Sequence, residues 1–243
     1  MSLRGAGFCD EAICLFITYV ITKICLFTSI ELIERTMSQE NQSSNQELEV
    51  KFYLSDHPKM EQKLKTLGKL KDPRVHEVNL RLDTANLDLW SAGKLLRLRQ
   101  DTRARVTYKG AGSEKGGARL RQELEFTVSD FDTTLLLFDA LGYQVVLMYE
   151  KFRTTYELGG VEADLDEMPT GIFLELEGPD AESIHQVADQ LGLDWEARIL
   201  DSYTMLFEHT RQNLGFEFRD LSFDNFRGLN VTPDAMGVRA GDE

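Results

Sequence analysis

The sequence predicts an α+β fold, an eight-stranded antiparallel β-barrel that forms a tunnel, with flanking helices. Three observations predict it. Short stretches along most of the chain alternate apolar with charged residues at the period of two that a strand imposes. The links between these stretches are mostly of hairpin size, which favours antiparallel pairing. The polar sides of the strands hold few Ser, Thr or Gln and many Arg, Lys, Asp and Glu of both signs. An open sheet with those sides in water also satisfies the alternation. Closure would remove the sheet edges and set acids against bases inside, with the apolar faces turned out toward the helices.

The first strand is Glu47-Leu48-Glu49-Val50-Lys51-Phe52, where Glu47, Glu49 and Lys51 share one side and Leu48, Val50 and Phe52 the other. A helix follows, with Asp56 as N-cap, Pro58 in the first turn, Met60, Leu64 and Leu67 as its apolar stripe, and Gly68 at its end. Val78, Leu80 and Leu82 then alternate with Glu77, Asn79, Arg81 and Asp83, and residues 86–93 read as a turn. Leu96 and Leu98 alternate with Arg97 and Arg99, and Val106 and Tyr108 with Arg105, Thr107 and Lys109. Residues 112–117 read as a loop. Beyond it, Leu120, Leu124 and Phe126 alternate with Arg119, Arg121, Glu123 and Glu125.

A second helix is predicted over 130–141, capped by Asp130, with Phe131, Leu135 and Phe138 on one stripe and Gly142 at its end. In the strand over 149–156, Lys151, Arg153 and Thr155 oppose Phe152, Thr154 and Tyr156, and Gly159-Gly160 makes a hairpin turn. Val161, Ala163 and Leu165 alternate with Glu162, Asp164 and Asp166, and Phe173, Leu174 and Leu176 bracket Glu175 and Glu177. Helices are expected over 181–191 and 199–209.

At 243 residues and 42% apolar content, the chain can bury a real core as one sizeable domain or two small ones. Its formal charge of −14 argues against a general binder of nucleic acid or anionic membrane, so an anionic ligand must be met by a local basic cluster. Residues 1–36 stand apart as an apolar segment that holds all three cysteines, Cys9, Cys14 and Cys25. Three readings compete for it: a membrane anchor broken by Lys23, a secretory signal lacking a proper basic region, or translated sequence ahead of a true start at Met37. The third is preferred. It leaves a polar leader over 37–46, a main domain over 47–210 and a C-terminal extension over 211–243 that frays after Gly228. With no cysteine past Met37, a cytoplasmic location is expected, and no thiolate metal site or thiol nucleophile is available.

Closure would line the tunnel with a basic set, Lys51, Arg97, Arg99, Lys109, Arg121, Lys151 and Arg153. It would add an acidic set, Glu47, Glu49, Glu123, Glu125, Asp164, Asp166, Glu175 and Glu177. Arg forks grip phosphate oxygens in pairs and Lys holds them as a point charge. Carboxylates instead hold Mg²⁺ or Mn²⁺, which bridges to phosphate. A polyphosphate with a divalent metal satisfies both sets. The alternative is a self-satisfied network of internal ion pairs. Such pairs often fail to stabilise because desolvation cancels attraction, which favours a ligand.

The stretch Glu47-x-Glu49-x-Lys51 resembles the ExExK signature of the CYTH superfamily, the triphosphate tunnel metalloenzymes, which include class IV adenylate cyclases, thiamine triphosphatases and inorganic triphosphatases. The resemblance runs over about 47–206. It is carried further by Leu96-Arg97-Leu98-Arg99, Thr107-Tyr108-Lys109-Gly110, Glu123-Leu124-Glu125, Glu150-Lys151-Phe152-Arg153, Ala163-Asp164-Leu165-Asp166, Glu175-Leu176-Glu177 and Ser202-Tyr203. ExExK alone is weakly specific, whereas the ordered set is strongly so.

The resemblance implies an antiparallel tunnel that holds a triphosphate-containing small molecule with Mg²⁺ or Mn²⁺, in a monomer or homodimer. Lys51, Arg97, Arg99, Lys109 and Arg153 match the family's phosphate-binding bases, and Arg121 and Lys151 join them as tunnel bases. Glu47, Glu49, Asp164, Glu175 and Glu177 match its metal-binding acids, with Glu123 and Glu125 added. Lys51 and Arg153 are the expected catalytic pair, Lys51 foremost as an electrostatic stabiliser because an acid-rich site opposes its deprotonation. The implied reaction is metal-dependent hydrolysis of a triphosphate. One alternative is cyclisation of ATP to cyclic AMP and pyrophosphate; another is a non-catalytic polyphosphate or nucleotide sensor. Two departures bear on substrate identity. Arg81, within Asn79-Leu80-Arg81-Leu82-Asp83, stands where many cyclase-like members carry an aromatic residue, and a late lysine of some thiamine triphosphatases has no counterpart. Ser202-Tyr203 is assigned to packing.

Overall fold

The computed structural model describes residues 45–243. The anchor, signal and start-site readings of residues 1–36, and most of the polar leader, therefore lie outside the described residues. In chain order the elements are β1 (Gln46–Leu54), α1 (His57–Leu67), β2 (Lys69–Asp83), α2 (Asp88–Ser91), β3 (Leu95–Gln100) and β4 (Ala104–Lys109). They continue with β5 (Ser113–Lys115), β6 (Ala118–Val128), α3 (Phe131–Ala140), β7 (Gln144–Leu158), β8 (Val161–Met168) and β9 (Gly171–Glu177). After the sheet come α4 (Ala181–Leu191), a 3₁₀ turn (Trp195–Ala197), α5 (Tyr203–Leu214) and α6 (Pro233–Met236). The strands pair in the order β1-β9-β8-β7-β2-β3-β4-β6-β5, and β1 also pairs with β6. Every pair of strands is antiparallel. The β1–β6 pairing closes eight strands into a ring, with the short β5 attached to β6.

Alternation dictates the two sides of this ring. On β1, Leu48, Val50 and Phe52 are buried outward in a core shared with Met60 and Leu64 of α1 and Ile184 and Leu191 of α4. Each such side chain contributes about 1.5–3 kcal/mol on burial. On the far side, Phe131, Leu135 and Phe138 of α3 cover Leu82, Leu96, Leu98 and Val106. Local signals set the ends of these elements. Asp56 accepts from the Lys59 amide at 3.0 Å and Asp130 from the Thr133 amide at 2.6 Å, each as an N-cap. Gly159 and Gly160 both take positive φ, 58° and 84°, as the two-residue turn between β7 and β8 requires.

Several elements differ from the sequence expectation, each for a tertiary reason. The last long helix begins at Tyr203 instead of residue 199. Ile199 is held extended by a two-way backbone pairing with Lys51, and Ser202 caps the helix through the Met205 amide. The helix also continues past His209 to Leu214. The segment 112–117 is a hairpin arm and not a plain loop, because β5 folds back onto β6 about Gly116 and Gly117. The turn over 86–93 contains α2, whose amides at Leu89 and Trp90 donate to the buried Asp83 carboxylate.

The expected fraying after Gly228 is also corrected. Leu221 pairs with Met148 and Glu150 on the half of β7 that β8 does not reach. Phe216, Phe218 and Phe226 pack around Phe207. At the far end Gly241 donates to the Tyr53 carbonyl at 2.9 Å, and the Asp242 carboxylate accepts from the Ser55 and Asp56 amides at 2.7 and 2.9 Å. The tail is therefore tied to both β7 and β1. No described helix is long and apolar enough to cross a membrane.

Candidate functional site

The inward faces of the ring line one cavity of about 370 Å³. Ser202, Tyr203 and Thr204, where α5 begins, contribute to its wall, and Asp72, Pro73, Thr102 and Arg103 line it where they are exposed. All of the sequence-predicted bases line it: Lys51, Arg97, Arg99, Lys109, Arg121, Lys151 and Arg153. Of the predicted acids, Glu47, Glu49, Glu123, Glu125, Asp164, Glu175 and Glu177 line it too, while Asp166 lies fully buried behind them. Residues distant in sequence meet because register puts them level. Glu177 pairs with Glu49 and Glu175 with Lys51 across β9–β1, and Glu47 pairs with Arg121 across β1–β6.

One part of the lumen is charge-paired. Arg153 binds Asp164 at 2.5 Å and Asp166 at 2.6 Å and also contacts Glu175. Lys51 binds Glu175 at 3.0 Å. Asp166 gathers Arg153, Lys151 at 2.7 Å and the Tyr203 hydroxyl at 2.8 Å, so four donors from β7 and α5 meet on one carboxylate. These contacts fix protonation. Burial alone would raise the Glu175 carboxyl, but Lys51 and then Arg153 outweigh it and hold the group well below the usual carboxylate range. Burial alone would lower the Lys51 ammonium, but Glu175 and then Glu49 raise it, so Lys51 is a cation and not a base. Asp164 moves the other way, pushed up to about 6 by burial and only partly offset by Arg153.

Another part carries an excess of acid. Lys109 binds Glu47 at 2.5 Å and Glu123 at 3.2 Å, while Arg121 lies 3.5 Å from Glu47 and 3.8 Å from Glu49. Glu177 makes no ion pair among the described residues. Burial, then the charge of Glu47, with Glu123 and Glu49 beyond it, push its carboxyl up to about 8. Among the described residues no three acidic, His or Cys side chains already converge as metal ligands. The donor chemistry nevertheless fits a hard divalent cation. Four carboxylates face a common space, and one retains its proton near neutral pH because burial and its acidic neighbours outweigh Lys109.

Sequence reasoning missed several lumen groups. Glu77, 1% exposed, contacts Arg99 at 3.2 Å and Lys151 at 3.8 Å, and those cations overcome burial to lower its carboxyl to about 2. Its place in the alternation Glu77, Asn79, Arg81, Asp83 was the signal. Arg81, buried, lies 4.2 Å over the Trp90 ring and donates to Thr204 at 2.9 Å. It ties β2 to the start of α5. Tyr149 also faces the lumen and accepts from Arg97 at 3.2 Å. Tyr203 does more than pack: besides its edge contact with Phe173, it anchors Asp166.

A family model described as the CYTH domain matches residues 45–203. A protein of Methanocaldococcus jannaschii, named as a candidate adenylate cyclase, is 30% identical over 133 residues, covering 54% of this chain and 75% of that protein. Among solved structures, a candidate adenylate cyclase of Vibrio parahaemolyticus superposes with a TM-score of 0.60 at 20% identity, covering 67% of this chain and 97% of its own. A protein from Hippeastrum, described as a candidate adenylyl cyclase with a dominant triphosphatase activity, gives a TM-score of 0.50 at 18% identity, covering 67% and 95%.

Proposed function

The chain belongs to the CYTH domain family, and from that premise we propose that it is a divalent-metal-dependent phosphohydrolase that cleaves a triphosphate held in the lumen. The observation that carries this reading is the meeting of bases from five strands with an acid-rich cluster in one cavity of about 370 Å³. Bases alone would suit a bare anion, and acids alone a bare cation. Both together suit an anion that arrives with a metal.

In the resting protein carboxylates stand in for the phosphate oxygens. Asp164, Glu175 and Glu125 occupy Arg153, Lys51 and Arg97. A triphosphate competes for those cations, which would free the carboxylates as its oxygens replace theirs. Glu47, Glu49, Glu123 and Glu177 would hold Mg²⁺ or Mn²⁺, with Asp164, Glu125 and Glu175 adding negative charge nearby. When bound, the metal would supply charge neutralisation at the phosphate oxygens. Arg97, Arg99, Lys109, Arg121, Lys151 and Arg153 would bind and align the chain of phosphates. Lys51, kept cationic by Glu175, would stabilise charge at the reacting phosphorus together with Arg153.

Cyclisation of ATP is a second reading, favoured by the name carried by the Methanocaldococcus relative. The Hippeastrum protein favours hydrolysis at the level of fold. An end-product assay separates the two, with tripolyphosphate, ATP and thiamine triphosphate offered with Mg²⁺ or Mn²⁺. Orthophosphate release without cyclic AMP is the expected result. Cyclic AMP with pyrophosphate would replace hydrolysis with cyclisation, and tight binding without product would leave a sensor.

A further inference from the structure

Tyr149 lies on the lumen face of β7 two residues before Lys151 and lines the cavity with only 5% of its surface exposed. Its position is tightly set. The ring belongs to the buried cluster containing Leu147 and Phe173, its backbone pairs with Asn79 of β2, and the tail bridges to it through Leu221. The phenol oxygen accepts from Arg97 Nη1 at 3.2 Å. No described residue accepts the hydroxyl's own proton. Because the hydroxyl lines the cavity, its proton is available to an acceptor that enters there.

Holding Arg97 does not explain the hydroxyl. The Arg97 guanidinium already has Thr107 Oγ1 at 3.0 Å and Glu125 at 3.4 Å. The charged groups that face the phenol are cations on three strands: Arg97 and Arg99 on β3, Lys151 on β7 and Arg81 on β2. The neighbouring acids are turned to those cations, Glu77 to Arg99 and Lys151, and Glu125 to Arg97. The neutral Asn79 spends its oxygen on Arg99, and Tyr203 of α5 lies beneath Lys151. An anion placed among these cations would find the phenol as a neutral donor beside it, and the unpartnered Asn79 Nδ2 lies across the same strand pair.

We propose that Tyr149 is a substrate-contacting residue whose hydroxyl donates a hydrogen bond to a non-bridging phosphate oxygen of the triphosphate seated against Arg97, Arg99 and Lys151. This rests on the triphosphate reading of the cavity. Burial alone would raise the phenol's pKa, but Arg97, Arg99 and Lys151 outweigh it and lower it, which strengthens the hydroxyl as a donor to phosphate. Once ionised the phenolate has nothing to donate and repels the ligand, so affinity must fall on the alkaline side.

The test uses the full chain with tripolyphosphate and Mg²⁺, comparing wild type, Tyr149→Phe and a chain with 3-fluorotyrosine at position 149, which keeps the ring and oxygen but makes the phenol more acidic. The expected result for Tyr149→Phe is a loss of about tenfold to a hundredfold in kcat/KM and in tripolyphosphate affinity. Its thermal midpoint should hold, and the alkaline limb seen in wild type should be gone. The fluorinated chain should bind at neutral pH and show that limb at lower pH. Wild-type kcat/KM in Tyr149→Phe, or an alkaline limb that ignores fluorination, would overturn the assignment of Tyr149 alone. A wild-type chain that neither binds nor turns over tripolyphosphate would overturn the triphosphate reading and this assignment with it.

Discussion

Glu175 and Glu177 sit two residues apart on the same face of β9, yet their surroundings drive them in opposite directions. Glu175 meets Lys51 and Arg153 and is held ionised, whereas Glu177 meets Glu47, Glu49 and Glu123 and keeps its proton to about 8. The same residue type on the same strand is thus an ionised counter-ion in one place and a proton-holding carboxyl among other acids in the other. The difference teaches that the lumen is divided. One region pairs its acids with bases inside the protein, and the other holds more carboxylates than cations.

The comparison can be broken from either side. Replacing Glu175 by Gln leaves Lys51 buried without its counter-ion, and losing one partner of a buried pair typically costs about 3–5 kcal/mol. Urea unfolding should show that loss, and an unchanged midpoint would mean that the pair is not matched in solution. Replacing Glu177 by Gln removes the cost of keeping that carboxyl protonated among acids, so its unfolding midpoint should hold or rise. Metal-dependent turnover of tripolyphosphate should nevertheless fall by about a hundredfold, roughly 2.7 kcal/mol of lost transition-state stabilisation. A Glu177→Gln chain with wild-type metal dependence would remove Glu177 from the metal site.

The pH dependence of stability sharpens the contrast. Glu177 and Asp164 bind protons more tightly in the folded chain, to about 8 and about 6, than their ordinary values of 4.5 and 3.8. The folded state therefore holds more protons than the unfolded one, and this contribution is lost as pH rises from the ordinary values through about 6 and about 8. Glu175 has the opposite sign, present above its ordinary value and lost as pH falls through its depressed one. In chelator, wild type should lose stability from mildly acidic pH to about 8, and Glu177→Gln should flatten the upper part of that slope. A midpoint that climbs over the same range would contradict the assignment. The smallest effect is expected for Tyr203→Phe. It removes one of the four donors on Asp166, for a loss of about 1 kcal/mol in stability.

Most of the ring was legible because one strand face is charged and the other apolar, and a period of two can be read locally. Glu47, Glu49 and Lys51 could be assigned to the same side as Arg97 and Arg153 before any pairing was known. The division between Glu175 and Glu177 was not legible. It depends on which strand stands opposite, and the β1–β6 closure joins residues 70 or more positions apart. Glu77 and Tyr149 were hidden for a related reason. Each stood in an alternating stretch, but only the register of β2, β3 and β7 brings Glu77 level with Lys151, and Tyr149 level with Asn79 and Arg99. The tail departs from expectation because its anchors are not local. Asp242 caps Ser55 and Asp56 across a separation of 187 and 186 residues, and Leu221 adds to an edge that exists only because β8 is shorter than β7. The early start expected for the last helix and the plain loop over 112–117 failed similarly, the first through the Ile199 pairing with Lys51 and the second through β5 pairing onto β6.

The most direct test of the account is orthophosphate release from tripolyphosphate by the full chain, titrated with Mn²⁺ and then with chelator, in wild type and in Glu177→Gln beside it. The account predicts turnover that appears with the metal, stops on chelation and is largely lost in the Glu177→Gln chain while its unfolding midpoint holds. Turnover indifferent to both chelator and Glu177 would contradict it.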